Sequence, residues 1–157
     1  MATGKTKNGL QLISPAFRDD TNIPVQYTCK GQNVSPPLNI FNVPSASKSL
    51  ALIMHDPDAP GGDFLHWLVW DIPVATETIA VNSLPPGAIQ GQNSFGKNEY
   101  GGPCPPAGSG VHRYVFELYA LDQTLNLDAN TPSSELNSAM NDHLIDKTSL
   151  TGLFGVD

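Results

Sequence analysis

Three features of the chain predict a mainly β fold: short apolar runs with a period of two, a high density of turn-forming residues, and a single segment with helical periodicity. Pro and Gly number 14 each, a proportion that suits many tight turns between short strands and falls below the level of a disordered chain. Leu10–Ile13, Val25–Thr28 and Leu38–Phe41 read as short strands separated by turns rich in Asn, Pro and Gly. Ser49–His55 reads as a buried strand. It is ended by Asp56-Pro57-Asp58-Ala59-Pro60-Gly61-Gly62, where each proline removes a backbone donor and disfavours helix in the residue before it.

Phe64–Ile72 reads as the next strand, rich in aromatic and β-branched residues. Strict alternation puts His66, Leu68, Trp70 and Ile72 on one face, and Pro73 closes the strand. Leu84–Gly108 is loop-rich, holding Pro85, Pro86, Pro103, Pro105 and Pro106 together with five glycines from Gly87 to Gly102. Loops of that length in a compact domain are usually functional. Val111–Leu121 is the clearest strand, with His112, Tyr114, Phe116, Leu118 and Ala120 on one face and Arg113, Glu117 and Tyr119 on the other. A helix follows: Thr131 suits its cap, Pro132 its first turn, and Leu136, Met140 and Leu144 form its apolar stripe. Ser149–Val156 reads as a final short strand or turn. The expected architecture is packed sheets with the C-terminal helix laid against an edge.

Length and composition narrow the function classes. The 157 residues correspond to one domain, with a core spanning about residues 10–154; a chain of this size buries roughly 70% of its unfolded surface and needs no metal or disulfide to hold a core. The formal net charge is −7 with only 8 scattered Lys and Arg, which argues against nucleic acid and anionic membrane surfaces as partners. Met1–Phe17 contains no apolar core of a secretory signal, and Leu50–Met54, the longest apolar run, is far too short for a transmembrane helix. The expected address is cytoplasmic. Cys29 and Cys104 have no metal-ligand or CxxC spacing, so two reduced thiols are the plain reading and a single bridge the alternative.

The chemistry-bearing residues fall in two stretches. In the first, Asp56 and Asp58 sit in a proline-stiffened loop and His66 follows on the next strand. A carboxylate bonded to one ring nitrogen of a histidine sets what the other nitrogen presents. In the second, Gly101-Gly102-Pro103-Cys104-Pro105-Pro106 leads through Gly108-Ser109-Gly110 into His112 and Tyr114 on one strand face. Such glycines let backbone N–H groups approach a ligand and can form an anion-binding nest. The ordinary structural reading is that Asp56 caps a turn, Gly108–Gly110 forms a hairpin, and His66 and Tyr114 are interior.

Together, DPDAP at Asp56–Pro60, His66 in FLHW and GVHRY at Gly110–Tyr114 resemble the paired signatures of the phosphatidylethanolamine-binding protein family. YTCKGQNVSPPL at Tyr27–Leu38 and GGPCPP at Gly101–Pro106 are similar to its short bacterial and archaeal branch, often labelled Raf-kinase-inhibitor-like. The resemblance covers roughly Leu10 to Phe154. It implies packed antiparallel β-sheets with a C-terminal helix and a few short helical turns. It also implies a pocket for a small anionic or zwitterionic ligand such as a phosphate head group, lined by Asp56, His66, Pro106, His112 and Tyr114. Asp58, Pro60, Cys104 and Gly110 are supporting residues in this reading, and Arg113 pairs with an acid such as Glu117. The chain departs from animal members in having a single His66 where they have paired histidines, and Cys104 where they tend to have glycine.

No GxSxG elbow, P-loop or HExxH motif is present, so no catalytic residue is assigned. A hydrolase using the His, Asp and Tyr groups, with Cys104 as the candidate nucleophile, is the alternative. Another alternative is an inhibitor of a kinase or protease acting through its loop-rich face. No cofactor or metal is expected, a homodimer is left open, His55 reads as a packing residue and His143 as a surface residue.

Overall fold

The computed structural model describes residues 9–156; the polar lead read over residues 1–8 lies outside them. Nine strands and one helix follow in the order β1 (Gln11–Ile13), β2 (Thr21–Asn22), β3 (Leu38–Phe41), β4 (Ser49–Asp56), β5 (Phe64–Ile72), β6 (Thr78–Ile79), β7 (Ile89–Gln90), β8 (Val111–Leu121), α1 (Ser133–Asn141) and β9 (Leu144–Gly155). They form a three-stranded sheet, β1-β3-β6, and a six-stranded sheet, β2-β9-β8-β4-β5-β7. All pairings are antiparallel except β2 with β9, which is parallel.

The central strand β4 is buried on both faces, which is why its sequence reads as a nearly unbroken apolar run. Leu50, Leu52 and Met54 enter the core between the two sheets, together with Tyr114, Phe116, Leu118 and Ala120 of β8. Ala51 and Ile53 face outward into a second cluster with Leu68, Trp70 and Leu121, and this cluster is covered by Leu136 and Met140 of α1. The helix therefore lies on the outer face of the large sheet rather than against an edge.

Several local expectations change. Val25–Tyr27 is a 3-10 turn rather than a strand, held by Tyr27 and Thr28 amides that donate to the carbonyls of Pro24 and Val25. Pro132, not Thr131, occupies the N-cap, with no side-chain cap; Glu135 in the first turn complements the helix dipole instead. The helix stops at Asn141, and Leu144 already pairs with Leu121 at the start of β9, so the expected third residue of its stripe is exposed. Pairing with the 11-residue β8 also extends the last strand well upstream of Ser149.

The largest departure is in β5. Met54 pairs with Trp67 but His55 pairs with Leu65, which leaves His66 as an extra residue; a second slip lies between the Leu52–Val69 and Leu50–Ile72 pairs. A β-bulge of this kind reverses side-chain parity beyond it. Trp67, Val69 and Ile72 consequently join the inter-sheet core while Leu68 and Trp70 point to the helix side. The single face expected for His66, Leu68, Trp70 and Ile72 does not exist.

Cys29 and Cys104 are joined in a disulfide with a sequence separation of 75, which corrects the reading of two reduced thiols. The bridge and the Cys29 amide, which donates to the Pro103 carbonyl at 3.0 Å, tie the loop after the 3-10 turn to the Gly101–Pro106 segment. His55 is likewise more than a packing residue. On the outer face of β4, its Nδ1 lies 2.7 Å from Asp63 Oδ1 and its Nε2 lies 2.7 Å from Glu117 Oε2. A carboxylate at each ring nitrogen suits the doubly protonated ring.

Two measurements follow. Replacing both cysteines by serine should cost up to about 4 kcal/mol in urea unfolding, the chain-entropy value for a loop of this length; an unchanged midpoint would show that the bridge adds nothing. Burial lowers the His55 pKa, but its hydrogen bonds and attraction to Glu117 and Asp63 outweigh burial and raise it above 6.5. Glu117 is held below 4.5 by its hydrogen bond to His55. The stability from His55 is complete below pH 6.5 and is lost as pH rises through the raised value. That from Glu117 is present above pH 4.5 and is lost as pH falls through the lowered one. The melting-temperature gap between wild type and His55→Gln should therefore be wider at pH 6 than at pH 8.5 by calorimetry; a gap independent of pH contradicts the clasp.

Candidate functional site

At one end of the inter-sheet core, the DPDAP loop, the start of β5 and the start of β8 enclose a cavity of about 200 Å³. Asp56, His66, Pro106, His112 and Tyr114 all line it, as do Pro60 and Cys104. Asp58 and Gly110 do not. Asp58 Oδ2 accepts from the Arg113 amide and Nε, and its Oδ1 accepts from Nη2 at 2.9 Å. This bidentate pair, rather than one between Arg113 and Glu117, clamps the DPDAP loop to the start of β8. Arg113 also holds the Asp58 carboxyl down at about 2. Gly110 has φ +85, a left-handed conformation that glycine adopts without strain, at the turn that aims β8.

Most polar groups in the wall are already engaged. Asp56 Oδ1 accepts from the Asp58 amide at 2.8 Å, a turn typical of aspartate, and Oδ2 lies 2.7 Å from His112 Nδ1. His112 Nε2 lies 2.9 Å from Ser109 Oγ, and that hydroxyl donates to the Pro106 carbonyl at 2.7 Å. The one hydroxyl hydrogen serves a single acceptor at a time: a His112 with its hydrogen on Nδ1 takes it on Nε2, and a ring with a hydrogen on Nε2 donates to Oγ instead. Asp56 and His112 are each only 3% exposed.

His66 has a different partner from the carboxylate expected for it. Its Nδ1 donates to the Gly101 carbonyl at 2.6 Å, while the Gly101 amide donates back to the His66 carbonyl at 3.0 Å. A carbonyl only accepts, so the hydrogen of a neutral ring sits on Nδ1 and Nε2 is an acceptor. Burial pushes the His66 pKa below the usual range, against the raising effects of the Gly101 bond and Asp56. The Tyr114 ring packs edge-on to His66 and stacks with His112. Its hydroxyl is among the buried side-chain atoms without a hydrogen-bond partner of good geometry within the described residues. Burial and the nearby Asp56 carboxylate both raise its pKa, so it remains a donor.

The anion-binding nest expected from the glycine run is not formed by these amides. Gly101, Gly102, Gly108 and Ser109 donate to His66, Asn33 Oδ1, Val156 and Pro106 respectively. Gly102 is required for another reason: a Cβ there would lie 2.3 Å from the Tyr27 carbonyl oxygen.

Sequence reading missed the aromatic and apolar mouth. Ala59, Phe64, Phe95 and Pro105 complete the lining. Phe64, Phe95 and His66 pack with centroid separations of 4.8–5.5 Å. Phe95 comes from a loop organised by buried Asn93, whose Oδ1 accepts the Phe95 and Lys97 amides and whose Nδ2 donates to the Glu99 carbonyl. Nothing in the local pattern of Asn93 or Phe95 marks them as site residues. Among the described residues no group of three or more His, Cys, Asp or Glu is arranged to hold a metal, and no helix is long and apolar enough to cross a membrane.

The family model for phosphatidylethanolamine-binding protein matches residues 13–155. The chain is 43% identical to the UPF0098 protein PH1269 of Pyrococcus horikoshii, over 96% of this chain and 79% of that one. It is 44% identical to a UPF0098 protein of Methanothermobacter thermautotrophicus, over 92% of this chain and 98% of that one. Its structure superimposes with a TM-score of 0.88 on Escherichia coli YbcL, described as a member of the mammalian PEBP family, at 31% identity over 94% of this chain and 99% of that one. The fold, the DPDAP and GVHRY stretches meeting at one cavity, and these likenesses agree: the chain belongs to the phosphatidylethanolamine-binding protein family.

Proposed function

We propose that the cavity captures a small phosphate-bearing ligand, anionic or zwitterionic, and that capture rather than turnover is its task. The observation that carries this reading is one cavity of about 200 Å³ whose wall brings together Asp56, His66, Pro106, His112 and Tyr114 from both signature stretches. His112 spends both ring nitrogens on Asp56 and Ser109, so it holds the wall in place rather than bonding the ligand directly. Arg113 is turned to Asp58, and the lining contains no Lys or Arg.

One observation favours binding over catalysis: Cys104, the candidate nucleophile, is held in the bridge to Cys29. Regulation of a kinase or protease would be a consequence of ligand occupancy at this face, and no feature of the cavity selects such a partner. The bridge suits an oxidising compartment, or a cytoplasm that maintains protein disulfides, as in hyperthermophiles.

Calorimetric titration with inorganic phosphate tests the assignment. Tyr114→Phe should weaken binding about tenfold, the value of one charge-assisted hydrogen bond. His112→Ala should abolish binding and also lower stability, since it strands the Asp56 carboxylate. Phosphate affinity unaltered by both changes would dismiss the reading.

A further inference from the structure

A second cavity, of about 280 Å³, shares no lining residue with the first. Its walls come from Asn33–Ser35 before β3, Asn82–Leu84 after β6, Trp67 of β5, Gln90 of β7, and Glu99 with Tyr100. The Asn82 amide donates to the Ser35 carbonyl at 3.0 Å, and Asn33 Oδ1 accepts the Gly102 amide at 2.7 Å. These bonds tie the two loops to one another and to the Gly101–Pro106 segment. The wall contains no Lys, Arg or His, and Glu99 is its one acid.

Two side-chain amides in this wall have settled orientations. Asn33 spends its oxygen on Gly102, and Gln90 spends its oxygen on the Trp67 indole at 2.8 Å. Each keeps its NH2 group for a ligand. The Glu99 carboxylate offers only acceptors and has no partner among the described residues. Ser35 is 3% exposed, yet its hydroxyl makes no hydrogen bond among the described residues and still reaches the cavity. A hydroxyl both donates and accepts.

Such a wall suits neither kind of ion. An anion meets the Glu99 carboxylate with no cationic side chain beside it, and a cation meets the amide hydrogens of Asn33 and Gln90. Glu99 is exposed, which weakens its pull on that cation. An apolar ligand would strand the Ser35 hydroxyl. A neutral molecule with several hydroxyl groups satisfies every one of these atoms: its oxygens accept from the amides and its hydrogens go to Glu99. We propose that the second cavity binds a neutral polyhydroxylated ligand, a sugar residue, through Asn33, Ser35, Gln90 and Glu99. The volume is at the lower limit for small-molecule sites, which suits one ring rather than a chain. The inference is independent of the phosphate reading, because the two cavities have no wall residue in common.

The two indoles supply a reporter and its control. Trp67 Nε1 donates to Gln90 in the wall, whereas Trp70 Nε1 donates to the Leu127 carbonyl at 3.0 Å on the helix side of the sheet. Titrating the 15N-labelled protein with glucose, galactose and mannose, and with their methyl glycosides, should shift the Trp67 indole signal saturably for at least one of them and leave Trp70 in place. Equal binding of a hexose and its glycoside identifies the end of a glycan as the ligand; binding of the hexose alone identifies a free sugar. Ser35→Ala should weaken binding about tenfold, the value of one buried hydrogen bond, without lowering the melting temperature. Glu99→Gln, which keeps an acceptor, should retain binding. A Trp67 signal unmoved by every sugar, or unchanged affinity in Ser35→Ala, would overturn the proposal. So would methylammonium shifting Trp67 in the wild type but not in Glu99→Gln, since the cavity would then be a cation site.

Discussion

The site depends on one extra residue in β5. Because Met54 pairs with Trp67 and His55 with Leu65, His66 and Trp67 are both turned toward the inter-sheet side. Without that bulge, regular alternation beyond Trp67 would send residue 66 to the helix face, away from Tyr114. The same slip puts Trp67 and Val69 into the inner core and Leu68 and Trp70 beneath α1. A bulge costs ladder hydrogen bonds, but here the Gly101 segment replaces part of them, bonding both the backbone and the ring of His66.

Around that fixed histidine, the protein disposes of nearly all its other polar groups. Asp56 is the hub. It receives the Asp58 amide and His112, and Asp58 in turn clamps Arg113. These bonds join the two signature stretches across a sequence distance of more than fifty residues, so the residues that shape the cavity also hold its walls together. The rest of the lining is largely aromatic and proline carbon, from Phe64, Phe95, Pro60, Pro105 and Pro106.

The large sheet carries a different histidine on each side of adjacent strand positions. Asp56 faces inward to His112, whereas its neighbour His55 faces outward between Asp63 and Glu117. Alternation along β4 is what keeps these two His–carboxylate systems separate. One is nearly sealed from solvent and serves the cavity; the other is partly exposed and serves the junction of the β4–β5 loop with β8.

Sequence by itself determined the β class, the strands β4 and β8, and the helix with Leu136 and Met140 on its apolar side, because periodicity is a local signal. The grouping of Asp56, His66, Pro106, His112 and Tyr114 at one cavity was legible only through the family resemblance, since these residues lie far apart in the chain. Tertiary structure decided the rest. Strand parity predicted one face for His66, Leu68, Trp70 and Ile72, but bulges depend on pairing with β4, which no local pattern records. Val25–Tyr27 became a turn and Leu144 a strand residue because of the segments they meet. The partner of Arg113, the Cys29–Cys104 bridge, and the approach of Phe95 and Ser109 to the cavity are contacts set by how distant segments pack. The roles of individual atoms belong to the same class: His66 presents an acceptor because the Gly101 carbonyl occupies its other nitrogen, a constraint that exists only in the folded chain.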